Sequence, residues 1–403
     1  MRLFLLSVIT AASAFAQPRN DSTWVTDFER SGGMRTPRYE ETIAYCRRLA
    51  KASPWIHLTS FGTSPQGRDL PLVIVSREKA FDPASAARTG KAVILIQSGI
   101  HAGEIDGKDA SLMLMRDIAV TKRLSHLVDS TIILFVPIFN VDGHERFGRY
   151  NRINQNGPEE MGWRTTAQNL NLNRDYMKAE APEMRAMLRL FTDWLPDFYV
   201  DCHVTDGIDF QYDITYAVEP APYLDPGVSA WLQATLLPSA LPVVEKSGHK
   251  IFMYVFPRED RDLSKGLNNA ASTPRFSTGF AALENRPAVL IETHMLKPYK
   301  MRVDATYHLL RGMIECINRD PATLRSVVRN ADASVVAAGM SFDTHRFFPL
   351  AFGTGTANEP RTFLGVRQMT EKSALSGGMR TRYTAEPVSL VVPFFDQITV
   401  TDS

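Results

Sequence analysis

His101 and Glu104 stand three residues apart in the stretch Ser98-Gly99-Ile100-His101-Ala102-Gly103-Glu104. A His-x-x-Glu pair can place one imidazole and one carboxylate on a single divalent metal, which is a donor set that hydrolytic zinc sites use. The spacing alone is cheap, because His126 with Asp129 and His203 with Asp206 repeat it. Position adds what spacing lacks. His101 lies just past one expected strand, Asn140 past a second, His203 past a third and Glu292 past a fourth. In open α/β sheets the ligand crevice lies outside the carboxyl ends of the strands. Two histidines and one carboxylate leave a metal position for water, and a second, unligated carboxylate can take that water's proton. Taken singly, His203 reads as a core histidine and Glu292 as a surface carboxylate; at strand ends together they point to one crevice.

The elements that must position these residues follow from apolar periodicity. Residues 91–97 (Lys91-Ala92-Val93-Ile94-Leu95-Ile96-Gln97) form a continuous apolar run of the kind a strand covered on both faces requires. Further strands are expected over residues 70–75, 131–139, 198–202 and 288–291. Helical spacing predicts helices over residues 37–50, 106–120, 181–194, 228–246 and 307–318. Strands alternating with helices predict an α/β fold whose largely parallel sheet is covered on both faces. Beyond about residue 322 the pattern changes. Residues 346–352, 361–366 and 388–395 look like short strands between Gly, Thr and Pro, so residues 323–403 are expected to form a small β-rich appendage, one that a truncated chain would leave incomplete.

Residues 1–16 read as a secretory signal. Arg2 precedes the apolar run 3–15, which closes on Ala14-Phe15-Ala16, a small-x-small cleavage pattern, and the run is too short to span a bilayer. A secreted or periplasmic protein without a stable membrane span is therefore expected. Lys plus Arg total 45 against 44 for Asp plus Glu, a net charge of +1, and no polybasic run occurs, so a nucleic-acid partner has no electrostatic argument. Only three cysteines are present, Cys46, Cys202 and Cys316, which allows at most one intramolecular disulfide and no CxxC metal site. Cys202, next to His203 on an expected strand, should point into the core.

At this level of detail residues 39–318 resemble the zinc carboxypeptidase family, the fold group of pancreatic carboxypeptidase A. The resemblance rests on His101-Ala102-Gly103-Glu104, Asn140-Val141-Asp142-Gly143, Asn171-Leu172-Asn173-Arg174, Asp201-Cys202-His203 and Ile291-Glu292-Thr293. It implies a three-layer α/β/α sandwich around a mixed, largely parallel sheet over residues 17–322, with one zinc ion held by His101, Glu104 and His203. It also implies Glu292 as general base, Asn173 and Arg174 gripping a substrate's terminal carboxylate, and Arg164 polarising the scissile carbonyl. Each implied role has a physical reason. Zinc acidifies its bound water, an unligated carboxylate remains basic, and a guanidinium fork matches a carboxylate with two parallel hydrogen bonds.

Three departures accompany the resemblance. Gly103 stands where many members have arginine, Asn171 stands where an aspartate usually orients the first zinc histidine, and no tyrosine occurs between residues 255 and 298. The amide oxygen of Asn171 can still accept an imidazole N–H. His144, His294 and His308 read as hydrogen-bonded structural residues, and the charged run 258–262 as a solvated loop near the side-chain pocket of relatives. The expected activity is hydrolysis of a C-terminal peptide bond in a peptide or peptide-like substrate with a free carboxylate. Two alternatives stay open here: a zinc amidohydrolase acting on cell-wall peptides or acylated amino acids, and a weakly active module that binds peptide C-termini.

Overall fold

The computed structural model describes residues 21–259, 262–341 and 349–402. The expected signal, residues 1–16, lies outside them, as do the first three residues of the strand expected over residues 346–352. Residues 56–253 supply Ile56–Thr63 (β1), Asp69–Val75 (β2), Ala92–Ser98 (β3), Thr131–Val136 (β4), Phe198–Val204 (β5), Ile214–Ala217 (β6) and Ile251–Met253 (β7). The two-residue strands Phe256–Pro257 (β8) and Leu267–Asn268 (β9) follow, then Ala288–Thr293 (β10). Eight strands form one sheet in the order β1-β2-β4-β3-β5-β10-β6-β7. Its centre, β4-β3-β5-β10, is parallel; β1 pairs antiparallel with β2, β2 with β4 and β6 with β10, while β7 runs parallel to β6. The mixed, largely parallel sheet is as expected.

Alternation within β3 explains the two helical layers. Ile94 and Ile96 join the larger core with residues of helices Tyr39–Ala52, Asp106–Met115 and Tyr299–Arg319. Val93 and Leu95 face the other way, onto Met184, Met187, Leu190 and Phe191 of helix Pro182–Trp194. Successive Cβ atoms point to opposite faces, so a doubly covered strand has to be apolar throughout. The helix run 226–246 is long and apolar enough to cross a bilayer by length and composition. Its Val228, Trp231, Leu232, Leu236, Ala240 and Val244 are buried in the larger core. Cys46, Cys202 and Cys316 are free and buried, Cys202 in the core as its strand position predicts.

The β-rich region expected beyond residue 322 is present, but it starts later than residue 323. Pro321–Met340 is a helix, capped by Asp320, whose carboxylate accepts the Thr323 N–H at 3.1 Å. Leu324, Val328 and Ala331 recur at helical spacing and are buried in the larger core. A single narrow stripe among alanines gives weak local contrast, which is why the periodicity was easy to miss. Strands begin later: Ala351–Thr354 (β11), Glu359–Lys372 (β12), Met379–Phe395 (β13) and Ile398–Asp402 (β14). β12 and β13 form a long antiparallel hairpin, and β13 runs parallel to β9, giving the sheet β12-β13-β9-β8. The hairpin's base is apolar. Phe363, Val392 and Phe394 pack with Phe210, Tyr212, Val255 and Leu267 of the main domain.

His249 ties β7 to the outer helix by lying between Asp213, at 3.1 Å, and Asp304, at 3.0 Å. The hydrogen bond to Asp213, then that to Asp304, pushes its pKa up to about 9. A histidine raised in this way contributes stability that is fully present below its unfolded value of about 6.5 and lost as pH rises through the folded value. Solvent around Asp304 weakens the pair, so we expect about 1–2 kcal/mol. Thermal unfolding of the parent and His249→Asn should show the parent's advantage shrinking between pH 7 and 9.5. A difference that stays constant over that window would contradict the assignment.

Candidate metal centre and substrate cavity

His101 and Glu104 occupy the tight turn between β3 and helix Asp106–Met115, where the Glu104 N–H bonds to the His101 carbonyl at 2.9 Å. The helix begins hard against β5. A Cβ on Gly107 would lie 2.4 Å from Cys202 Cβ, so the absence of a side chain lets the turn approach His203. His203 and Glu292 fall inside the last residues of β5 and β10 rather than beyond them, and they are direct neighbours in the parallel register. Asn140 is not drawn into the cavity. It caps helix Val141–Glu145 and donates to the Arg164 carbonyl at 3.1 Å, which helps hold the arginine's loop.

His101, Glu104 and His203 each offer a ligand atom within 4.8 Å of the others. The three side chains are almost fully buried. His101 Nδ1 lies 3.2 Å from Glu104 Oε1 without making a hydrogen bond, and His203 Nδ1 lies 2.9 Å from Glu104 Oε2. The other nitrogen of each ring is held from behind. His101 Nε2 meets Asn171 Oδ1 at 3.1 Å, and His203 Nε2 meets Asp201 Oδ2 at 2.8 Å. Asp201 is fixed in turn by Gln97 and Ser277. Two imidazoles backed by outer acceptors and turned towards one carboxylate fit a zinc ion, and the orphaned buried Nδ1 of His101 is the atom that such an ion would satisfy.

Burial opposes the charge on Glu104, but Arg152 and the two histidines hold its carboxyl well below the usual range. Arg152 was not singled out in the sequence. It is buried, pairs with Glu104 Oε1, and reaches the Val204 and Thr205 carbonyls. It also accounts for Gly103: a Cβ there would lie 2.8 Å from both Arg152 Cδ and the Gly162 carbonyl, so no larger residue fits. Glu292 is the reverse case. Its Oε2 is buried with no hydrogen-bond partner, and burial, then nearby Glu104, pushes the carboxyl up to about 8.

One cavity of about 390 Å³ gathers the expected residues: His101, Glu104, Arg164, Asn173, Arg174, His203 and Glu292 all line it. Arg164 Nη1 lies 3.0 Å from Glu104 Oε1. Arg174 lies over the Phe276 ring, 4.4 Å from its centroid, and makes no ion pair among the described residues. Asn173 is more constrained, since its Oδ1 accepts the Ser277 N–H and its Nδ2 faces His203. Tyr254 also enters, one residue outside the tyrosine-free stretch, with its phenol raised by burial and by Glu292. The Asp-x-His alternation of Asp201 and His203 was the readable signal for the outer acceptor. Nothing local marks Arg152 or Tyr254. His144 is structural as expected, pushed down to about 3 by burial and by Lys108.

The α/β/α sandwich and the possible His-Glu-His centre at the carboxyl ends of its strands are what the resemblance to zinc carboxypeptidases implies. Residues 42–226 match the family described as zinc carboxypeptidase. Carboxypeptidase 2 of Trichophyton rubrum is 28% identical over 212 residues, covering 51% of this chain and 35% of that protein. Carboxypeptidase Z of Gallus gallus is 29% identical over 148 residues, covering 34% and 21% respectively. The chain therefore spans about a third or less of the length of these curated relatives. A metallo-carboxypeptidase of Pseudomonas aeruginosa, solved with (2-guanidinoethylmercapto)succinic acid, superposes with a TM-score of 0.52 at 18% identity, covering 71% of this chain and 70% of that one. Carboxypeptidase A of Helicoverpa armigera gives 0.50 at 19% identity, covering 74% and 75%. These structures speak for the fold. Glu292 lies beyond the matched segment, and its place in the site comes from the pairing of β10 with β5.

Proposed function

We propose that this protein is an exported zinc metallocarboxypeptidase that hydrolyses the C-terminal peptide bond of peptides with a free carboxylate. The observation that carries the reading is the single cavity in which a His-Glu-His set, a buried glutamate whose Oε2 lacks a hydrogen-bond partner and an arginine without an ion pair among the described residues converge. His101 Nδ1, Glu104 and His203 Nδ1 are the atoms that would hold the metal. Zinc bound there supplies Lewis-acid polarisation of the scissile carbonyl and brings the pKa of water towards neutrality. Glu292 Oε2 takes the proton of the attacking water and then delivers it to the leaving nitrogen, a task open to it because no protein donor occupies that oxygen. Arg164 steadies the oxyanion, and Arg174 receives the terminal carboxylate through its planar fork. Export rests on the signal-like residues 1–16.

A peptide and its C-terminally amidated twin test the reading. The free acid should be cut about 100-fold more efficiently, as a charge-assisted bidentate contact implies, and Arg174→Met should erase that preference. Equal cleavage of both would favour the amidohydrolase alternative. Dialysis against a chelator should abolish turnover and one equivalent of zinc should restore it; activity that survives complete demetallation would sink the proposal.

A further inference from the structure

The far wall of the cavity is drawn from residues 269–278, where 269–273 and 276–278 line it, mostly small or hydroxylated side chains with Phe276 among them, and Pro274 and Arg275 stand between. It contains little that could hold its own shape. Its two ends are nevertheless fixed. At one end the Asn269 N–H donates to the Phe395 carbonyl at 2.9 Å, and the Thr354 hydroxyl donates to the Asn269 carbonyl at 3.3 Å. Phe394 and Phe395 of β13 pair in parallel with Leu267 and Asn268, the two residues just before the wall. Phe395 closes against Gly266, where an added Cβ would lie 2.7 Å from its ring, and Arg258 lies 4.0 Å from the ring centroid on β8's side. At the other end buried Glu219 accepts the Ser272 N–H at 2.8 Å and the Thr278 hydroxyl at 2.6 Å. Ala217, the last residue of β6 and two before Glu219, lines the cavity itself.

From this we infer that the C-terminal strands are part of the substrate site: Phe395 and Thr354 are positioning residues that, with Glu219, hold the wall 269–278 as the subsite for the side chain of the substrate's terminal residue. The inference rests on the carboxypeptidase reading above. A short loop without its own core orders only where neighbouring elements take up its backbone groups. Here those neighbours come from more than 80 residues downstream on one side and about 50 upstream on the other. His101, Glu104 and His203 are braced by Asn171, Asp201 and Arg152, and the wall meets that bracing at Ser277, whose hydroxyl donates to Asp201. The anchors at Asn269 and Ser272 lie earlier in the wall and touch none of these groups, so loosening them acts first on recognition of the side chain.

The test uses the full chain carrying Thr354→Val or Phe395→Leu, with Glu219→Gln as a shape-conserving third variant. Two peptides differing only in a terminal Phe or terminal Gly serve as substrates. For the Phe peptide, KM should rise about five- to tenfold, as loss of one anchoring hydrogen bond or of the Phe395 ring packed on Gly266 implies, while kcat, zinc content and the KM for the Gly peptide stay near the parent's. Equal losses on both peptides would mean a merely structural role and overturn the inference. So would unchanged KM values in folded variants. Hydrogen exchange supplies a readout independent of turnover: the Asn269 and Ser272 amides should exchange faster in the variants, while those of β3 and β5 do not. Unaltered protection at Asn269 and Ser272 would refute the inference even for a chain that cuts no peptide, whereas a parent inert towards both peptides would refute the carboxypeptidase reading instead.

Discussion

Glu292→Gln should retain one equivalent of zinc and lose turnover by about 10²–10⁴-fold, the usual contribution of a positioned general base. The substitution keeps the volume and the place on β10 but removes the group that can accept a proton. Glu292 and His203 are register neighbours on adjacent parallel strands, so the carboxylate is carried to the centre without joining the His-Glu-His set. Its buried Oε2 has no protein partner to compete for a water's proton. Glu104→Gln should behave differently. That residue receives Arg152, Arg164, His203 and the Val204 N–H, and its loss should lower zinc content as well as rate. Metal analysis alongside peptide turnover separates the two. A Glu292→Gln protein that holds zinc and works at the parental rate would remove Glu292 from the mechanism.

Arg302→Met should cost about 3–5 kcal/mol of stability, the range for breaking one side of a buried ion pair. Arg302 has no exposure to solvent, and its Nε lies 2.8 Å from Asp106 Oδ2. It also donates to the carbonyls of Asn156 and Gly157 at 2.8 and 2.9 Å, and to those of Met295 and Lys297 at 3.3 and 2.9 Å. Asp106 opens the helix that follows Glu104, and Thr293, which follows Glu292, donates to the same carboxylate. Methionine would leave Asp106 charged in a buried place and several carbonyls unpaired, while filling most of the space. Urea denaturation measures the loss, and adding Asp106→Asn to Arg302→Met should recover part of it because the orphaned charge is gone. A loss below about 1 kcal/mol would mean that the pair is not what joins these segments.

Long apolar runs made the centre of the fold readable. Residues 92–97 and 198–202 could not sit at a surface, and their strand ends carried His101 and His203 into view. Weakly patterned elements were not readable. β1, residues 56–63, is half exposed at the sheet edge, and its sequence His57-Leu58-Thr59-Ser60 carries little apolar signal. The helix Pro321–Met340 hides a narrow stripe among alanines. β8 and β9, two residues each, exist because β13 pairs with β9.

The same division runs through the site. By itself the sequence determined the donor types and their order along the chain, His101, Glu104, His203 and Glu292, because the residue type limits what metal or proton chemistry a side chain can do. It also determined that two faces of one sheet had to be covered, because period-two alternation is absent from its central strands. Only the tertiary structure decided which atoms meet: Arg152 filling the space beside Gly103, Asp201 behind His203, Tyr254 in the cavity, and the C-terminal strands against the cavity wall. Apart from Asp201 and His203, which stand two positions apart, those contacts join residues from about 50 to more than 120 positions apart, and local periodicity reports which face is buried without naming what covers it.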